Sequence, residues 1–287
     1  MKKGYWTKRD LKRENARQFR AFALVFAVLI LLSAVTMTGI YIKKKITLAY
    51  LRSVVTSETE TEKNTAAEPD LEGFTGSAGF MLALMSDEGK VCFVVTALAD
   101  LDKRLIALTP IPGDATLAAN GFTGDISSQY EFGGLTQLMA AVSGICPYKL
   151  DRYVSIAERN FIALAKLMGD VTVYVKNDIS YDEQNIGLHL KAGRQNLNSV
   201  TLLYYIRYGA AGEGLAELQC ETLCDIFGAY VTAKNIDKGE TLFSRLINLT
   251  DSNISAHDYV NALPVIKMLP IAKMTYVTAA YEELNFK

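Results

Sequence analysis

Three apolar runs crowd into thirty-one residues, and they constrain the fold more than anything else in the chain. Gly79–Met85 (GFMLALM), Val91–Leu98 (VCFVVTAL) and Arg104–Thr109 (RLIALT) are short and rich in β-branched or aromatic side chains. The turn-prone stretches SDEG and ADLD separate them. Such runs predict consecutive strands, the first two forming a hairpin. They are apolar almost without interruption rather than alternating, which predicts burial on both faces of the sheet.

Helical spacing takes over further along. Apolar residues recur at three and four positions in Leu135–Val142, Ile156–Met168, Asn198–Tyr208 and Gly214–Ala233. Val171–Val175 and Gly187–Leu190 interleave as strands, and 274–279 (MTYVTA) predicts a last one. Ser255 with Asp258 has the spacing of a capping box opening a helix toward Met268. Residues 112–133 hold Pro112, Gly113, Gly121, Gly124 and Gly133, and predict a long loop. The expected architecture is an α/β domain with a mixed central β-sheet and helices on both faces.

Ahead of that domain, residues 21–42 (AFALVFAVLILLSAVTMTGIYI) carry no charge. Twenty-two residues at helical rise span about 33 Å, enough for a hydrocarbon core of about 30 Å. The run exceeds the usual apolar region of a cleaved signal peptide. It predicts one transmembrane helix serving as an uncleaved anchor. Residues 1–20 hold eight basic and two acidic side chains, so the positive-inside rule places this tail in the cytoplasm and exports the C-terminal part. Lys43, Lys44 and Lys45 follow the span and weaken that bias. The expected organisation is a basic tail (1–20), an anchor (21–42), an extracytoplasmic linker (43–72, including the acidic TSETETEKNTAAEPD) and a folded domain (73–287).

Residues 46–287 carry 19 basic and 29 acidic side chains. That balance argues against nucleic-acid binding, which depends on neutralising phosphates. The four cysteines, Cys92, Cys146, Cys220 and Cys224, match neither a redox nor a zinc spacing. They read as small buried hydrophobes, with a disulfide in an oxidising compartment left open. His189 and His257 have no triad-like partners in sequence and read as structural.

Read in order, several stretches resemble the LytR–CpsA–Psr family of envelope proteins. Ala107–Thr116 (ALTPIPGDAT) resembles its strand-ending Ser-Ile-Pro-Arg-Asp-Thr. Gly124–Gly134 (GDISSQYEFGG) resembles its Lys-Ile-Asn-x-Ala-Tyr-x-x-Gly-Gly. Residues 150–172 resemble its strand, helix and Gly-Gly-Val turn. Residues 187–208 (GLHLKAGRQNLNSVTLLYYIRY) resemble its Ala-Gly-x-Gln-x-Leu turn and the helix ending Tyr-x-Arg. Thr250–Ser255 (TDSNIS) resembles its Thr-Asn-Leu-Ser helix start. The resemblance spans about residues 73–285, and it rests on the order of the motifs more than on any one of them.

The resemblance implies a membrane-anchored protein on the outer face of a Gram-positive cell membrane. Family members hold a polyprenyl pyrophosphate lipid in an apolar pocket and grip its pyrophosphate with arginines and acid-bound Mg²⁺. They transfer the attached glycopolymer to peptidoglycan. Guanidinium forks and a divalent cation suit that chemistry because phosphoryl transfer spreads negative charge over several oxygens.

Here the chain departs from the pattern. Gly113 stands at the arginine of Pro-Arg-Asp, and Gly209 at the second arginine of Tyr-x-Arg-x-Arg. Leu215 and Leu218 fall near two further arginines. The Arg-Ser-Asp-Thr segment falls near Gly89-Lys90-Val91-Cys92, without its metal-binding acid. Asp114, Arg207 and Gln219 survive. Asp114 is the candidate Mg²⁺ ligand, its plainer role being a turn former after Pro-Gly. Arg207 is the candidate catalytic and phosphate-binding cation, its plainer role a helix-end charge. Gln219 and Arg104 complete the phosphate- or lipid-binding set, with Lys90, Lys103 and Arg194 as compensating cations or ordinary surface charges. Losing one preorganised donor costs about 3 kcal/mol of transition-state stabilisation.

The expectation is therefore a catalytically degenerate binding or regulatory module. Its implied partners are the membrane, a polyprenyl phosphate or pyrophosphate lipid, a cell-wall glycopolymer and an active paralogue. An active, divergent phosphotransferase using Asp114, Arg207 and relocated cations is the alternative, and a scaffold sharing only the architecture is the third.

Overall fold

A computed structural model describes residues 74–183, 186–210, 216–231, 239–279 and 281. The expected tail, anchor and linker lie outside them. No helix among the described residues is long and apolar enough to cross a membrane.

The three opening runs form β1 (Ser77–Met85), β2 (Val91–Asp100) and β3 (Leu105–Ile111), paired antiparallel in sequence. They sit in the middle of a six-stranded sheet. Outside β1 lies β6 (Leu150–Ala157), parallel to it, and then the short antiparallel β11 (Thr250–Ser252). Outside β3 lies β12 (Thr275–Thr278), parallel to it. The sheet is mixed, as the sequence predicts.

Continuous burial has the expected cause. Phe80, Leu82 and Leu84 point to one face and pack into the larger core, whereas Met81, Ala83 and Met85 point to the other. This is the two-residue period of a strand with both sides covered. The second face is covered by α1 (Ile126–Ser143), through Leu135, Leu138, Ala141 and Val142.

The larger core lies under α2 (Glu158–Met168), α3 (Ser199–Ala210), α4 (Ala216–Tyr230), α5 (Gly239–Leu249) and α6 (Ala256–Ala272). At the start of β1, Gly79 is obligatory. A Cβ there would stand 2.1 Å from the Lys149 carbonyl oxygen and 2.9 Å from the Tyr148 ring.

One expectation fails. Residues 112–133 are not a long loop. They hold a small hairpin, β4 (Leu117–Ala119) with β5 (Phe122–Gly124), and the first turns of α1. Asp125 caps that helix, its Oδ1 accepting from the Ser128 N–H at 2.7 Å. Of the glycines that suggested a loop, Gly121 and Gly124 belong to the hairpin and Gly133 to a kink in the helix. Gly133 and Gly134 have non-helical backbones inside α1, and Gly134 has φ +66°, where a side chain would be strained. Buried Gln129 and Gln137 bond to each other across the kink and to the carbonyls of Leu117 and Ala119. They fasten the hairpin to the helix.

The predicted strand Val171–Val175 is present, Gly187–Leu190 gains Ile186, and the partner of each is a strand not predicted from the sequence. β7 (Val171–Val175) pairs with β10 (Gly193–Leu197), and β8 (Ile179–Glu183) pairs with β9 (Ile186–Leu190). The predicted capping box is present: Ser255 Oγ accepts from the Asp258 N–H at 3.2 Å, and Asp258 Oδ2 accepts from the Ser255 N–H at 2.8 Å.

Candidate functional site

Strands β1, β6, β3 and β12 all run the same way, so their carboxyl ends share one edge of the sheet. That edge is the usual ligand side of an α/β sheet. Three segments meet there. Met85 at the end of β1 is level with Ala157 at the end of β6 and with Val91 at the start of β2. Helix α2 begins at once with Glu158, whose negative charge suits a helix N-terminus. The β1–β2 turn is tied to it, because Asp87 Oδ1 accepts from the Arg159 N–H at 3.1 Å.

Arg207 arrives from the last turn of α3. Asn198 fixes the start of that helix by accepting from the N–H groups of Val200 and Thr201, both at 3.0 Å. Arg207 Nη1 lies 3.2 Å from Glu158 Oε1, with side chains only 24% and 14% exposed. The same carboxylate oxygen accepts from the Cys92 thiol at 3.6 Å. Burial, then the Glu158 carboxylate, push the Cys92 thiol up to about 12 against a smaller downward pull from Arg207. It is a protonated thiol at neutral pH. The cluster is therefore an acid neutralised by a guanidinium, with a neutral sulfur beside it.

The predicted site residues separate in space. Asp114 lies beyond β3 at the same edge of the sheet, exposed in a turn closed by the Ala115 N–H to the Pro112 carbonyl at 3.1 Å. Gly113 beside it has open space where a side chain would go. That arginine position is vacant chemically rather than blocked sterically.

Gln219 is 2% exposed, and its Nε2 donates to the Ile206 carbonyl at 3.2 Å. It ties α4 to the last turn of α3 and faces no solvent. Arg104 sits at the other end of the sheet, in the β2–β3 turn with φ +52°, its carbonyl accepting from the Thr275 N–H at 2.8 Å. The structure does not bring it near Arg207. Lys103 bridges Asp100 at 2.6 Å at that far end, and Lys90 pairs loosely with Glu88 at 3.7 Å on the surface.

Magnesium fits these residues poorly. It demands several hard oxygen ligands in octahedral array. Glu158 is spent on Arg207, Cys92 offers a protonated sulfur, and Asp114 stands in an exposed turn. Among the described residues no three His, Cys, Asp or Glu side chains converge as a metal site.

Helices α3 and α4, whose apolar residues suit either a lipid pocket or an ordinary core, contribute to the larger core among the described residues. Leu202, Leu203, Ile206, Cys220, Leu223, Ile226 and Phe227 are each 0–3% exposed and pack in one cluster with Phe80, Leu82, Val95 and Ile106 of the sheet. All four cysteines are free, with Cys146 and Cys220 buried.

Two arrangements escape sequence reasoning. Glu158 falls in the first turn of the predicted run Ile156–Met168, and nothing in that pattern pairs it with Arg207. His189 has Ser180 Oγ 3.3 Å from Nδ1 and Asp182 Oδ1 3.2 Å from Nε2, across the β8–β9 hairpin. The His and Asp side chains are 62% and 66% exposed, so this is a surface network without the covered, donor-lined setting a serine nucleophile needs.

A cleft of about 250 Å³ opens beside α3, lined by Lys176, Asp178, Tyr205, Tyr208, Glu217 and Glu221 among others. Burial, then the carboxylates of Glu221 and Asp225, push the Tyr205 phenol up to about 12.

Comparison with known proteins agrees with this frame. The computed structure is similar to Bacillus subtilis TagV at 17% identity and TM-score 0.58, covering 71% of this chain and 84% of that one. It is similar to a Eubacterium siraeum protein named as a transcription regulator at 17% identity and TM-score 0.62, covering 77% and 89%. It is also similar to TagT in complex with LIIa-WTA at 17% identity and TM-score 0.54, covering 75% and 82%. No curated protein matches. These likenesses establish the fold; residues 94–283 match the LytR_cpsA_psr family, most of the folded domain, and the chain therefore belongs to the LytR–CpsA–Psr family.

Proposed function

We propose that this chain is a membrane-anchored, extracytoplasmic module of cell-wall glycopolymer attachment that binds or regulates and does not itself transfer. Its family and its likeness to TagT, seen in complex with LIIa-WTA, support the glycopolymer setting. The uncharged run 21–42 and the basic tail before it support anchoring with the domain outside.

The observation that carries the loss of transfer is the Arg207–Glu158 pair at 3.2 Å. A phosphoryl grip needs a guanidinium free to fork onto phosphate oxygens. Here the surviving arginine of the family's motif is held by a partly buried carboxylate, and releasing it would leave Glu158 uncompensated. Gly113 adds no donor, and the neutral Cys92 thiol adds no metal ligand. The filled core under α3 and α4 directs the binding role toward a glycopolymer or a protein partner in place of an enclosed lipid tail.

The alternative, a divergent transferase, draws on Arg207 and Asp114 sharing one edge of the sheet. Incubating the full-length protein with a lipid-linked glycopolymer, peptidoglycan and Mg²⁺ separates the two. The proposal expects no polymer transferred above a protein-free control. Transfer that disappears in Arg207→Ala would establish the alternative.

A further inference from the structure

Helix α6 lies along the edge of the sheet opposite the Arg207 rim. It enters beside the start of β6, where Asn253 Oδ1 accepts from the Tyr153 N–H at 2.8 Å and Asp258 Oδ1 accepts from Arg152 Nη2 at 2.9 Å. It leaves beside the starts of β3 and β12, where the Thr275 N–H donates to the Arg104 carbonyl at 2.8 Å. Strands β1, β2 and β3 stand between β6 and β12. Four strand spacings come to about 19 Å. The 17 residues of α6 span about 25 Å, enough to cross them.

The inner side of α6, with Tyr259, Ala262, Val265, Ile266 and Leu269, is buried in the larger core. Its outer side is largely apolar as well, where a surface helix is normally polar. Val260 is 59% and Ile271 51% exposed, and Pro264 between them is exposed too. At about 100° per residue, Val260, Pro264, Lys267 and Ile271 fall within about 60° of one another, as a single stripe. Half-buried Leu263 and Met268 border it. Asp258 and Lys267 are the only Asp, Glu, Lys or Arg in the helix. One exposed apolar side chain is ordinary, but a stripe of them marks a contact surface.

Two observations identify what covers it. The described domain begins at this same edge. Phe74 is buried there, and Gly76 is fastened to the β2–β3 turn, its N–H donating to Asp102 Oδ2 at 3.1 Å and its carbonyl accepting from the Leu101 N–H at 2.8 Å. The expected linker, 43–72, therefore joins the domain to the uncharged run 21–42 from this side. The second observation is charge. Lys267 and Lys273 are exposed and meet no acid among the described residues. Asp100 and Asp258 at this edge are engaged by Lys103 and Arg152. Cations beside an apolar stripe, in a chain whose residues 46–287 are richer in acids than bases, match anionic lipid headgroups.

We propose that the outer stripe of α6 rests on the membrane surface, with Val260, Pro264 and Ile271 at the boundary of headgroups and acyl chains and Lys267 and Lys273 on anionic headgroups. Such contacts add buried apolar area to electrostatic attraction, and a lysine stem can lie along the apolar stripe while its ammonium reaches the headgroups. The Arg207 rim, at the far end of β1, is then turned away from the bilayer by roughly 25 Å. The inference rests on the anchoring read from residues 21–42.

Fluorescence quenching by bromine-labelled lipid tests it, on full-length protein carrying Trp6→Phe and reconstituted into vesicles. Ile271→Trp places an indole on the stripe, and Glu88→Trp places one in the β1–β2 turn at the opposite edge. Both positions are exposed, so neither indole enters the core. Quenching is expected to be several-fold stronger at position 271 than at position 88. Replacing phosphatidylcholine with phosphatidylglycerol is expected to strengthen it at 271, and Lys267→Glu with Lys273→Glu to remove that gain. Protein stripped from the vesicles by alkaline carbonate would overturn the anchoring and the inference with it. Retained protein quenched no more at 271 than at 88 would overturn the inference alone. In that case a blue-shifted indole at 271 would assign the stripe to a second copy if the shift follows protein density, and to another segment of the same chain if it does not.

Discussion

The core beneath α3 and α4 and the rim at the carboxyl ends of the strands share helix α3, yet they answer to different demands. In the core, Leu202, Ile206, Leu223 and Phe227 need only to be apolar and of fitting volume against Phe80, Leu82 and Ile106. Many sequences satisfy that requirement. At the rim, a pyrophosphate grip needs particular groups in particular places, and the proposed loss of that grip rests on Gly113, Cys92 and an Arg207 paired with Glu158. The fold persists at 17% identity to a structural relative, and the loss of chemistry at its edge is the part that belongs to the proposal.

Removing a core side chain should produce the largest effect. Phe227→Ala, at a site with no solvent exposure, is expected to cost about 3–5 kcal/mol in denaturant unfolding. A cost under about 1 kcal/mol would mean that the core is looser than described and has room for a lipid tail.

At the rim, Glu158→Gln should destabilise by about 1–3 kcal/mol, because a partly buried guanidinium loses its counter-charge. The same variant should gain affinity for inorganic phosphate, measured by calorimetry. Loss of stability without any gain in anion binding would show that the pair is purely structural.

A third test uses the thiols. Burial raises Cys92, Cys146 and Cys224 to about 12 and Cys220 well above its ordinary value of 9.0. The folded form therefore holds protons that the unfolded form releases above pH 9. The stability tied to these groups is fully present below pH 9 and is lost as pH rises toward 12. Iodoacetamide at pH 8 is expected to label the native protein slowly and all four thiols rapidly in guanidinium. Rapid native labelling of Cys92 would contradict its placement beside Glu158.

Gly113→Arg should have the smallest effect on stability, within about 0.5 kcal/mol, since its Cβ meets open space. A large loss would show that the empty position is closed sterically.

How much of this was legible beforehand follows the same division. The strands announce themselves because burial on both faces leaves a continuous apolar run, and the capping box at Ser255 is a local pattern of hydrogen bonds. The start of α1 was hidden, since Gly133 and Gly134 break its period and Asp125 alone marks its cap. The family's motif residues were readable one by one. Their fates were not: Arg207 meets Glu158 only through packing of α3 against α2, Gln219 is consumed by the Ile206 carbonyl, and Arg104 falls at the far end of the sheet. No spacing in the sequence encodes a tertiary ion pair.

The central claim is that Glu158 occupies the one arginine left for phosphate. Calorimetric titration of the full-length protein with Mg²⁺-pyrophosphate, beside Glu158→Gln, tests it directly. The account predicts no saturable binding to the natural protein in the millimolar range and measurable binding once Glu158 is neutralised. Tight binding to the natural protein, abolished by Arg207→Ala, would contradict it.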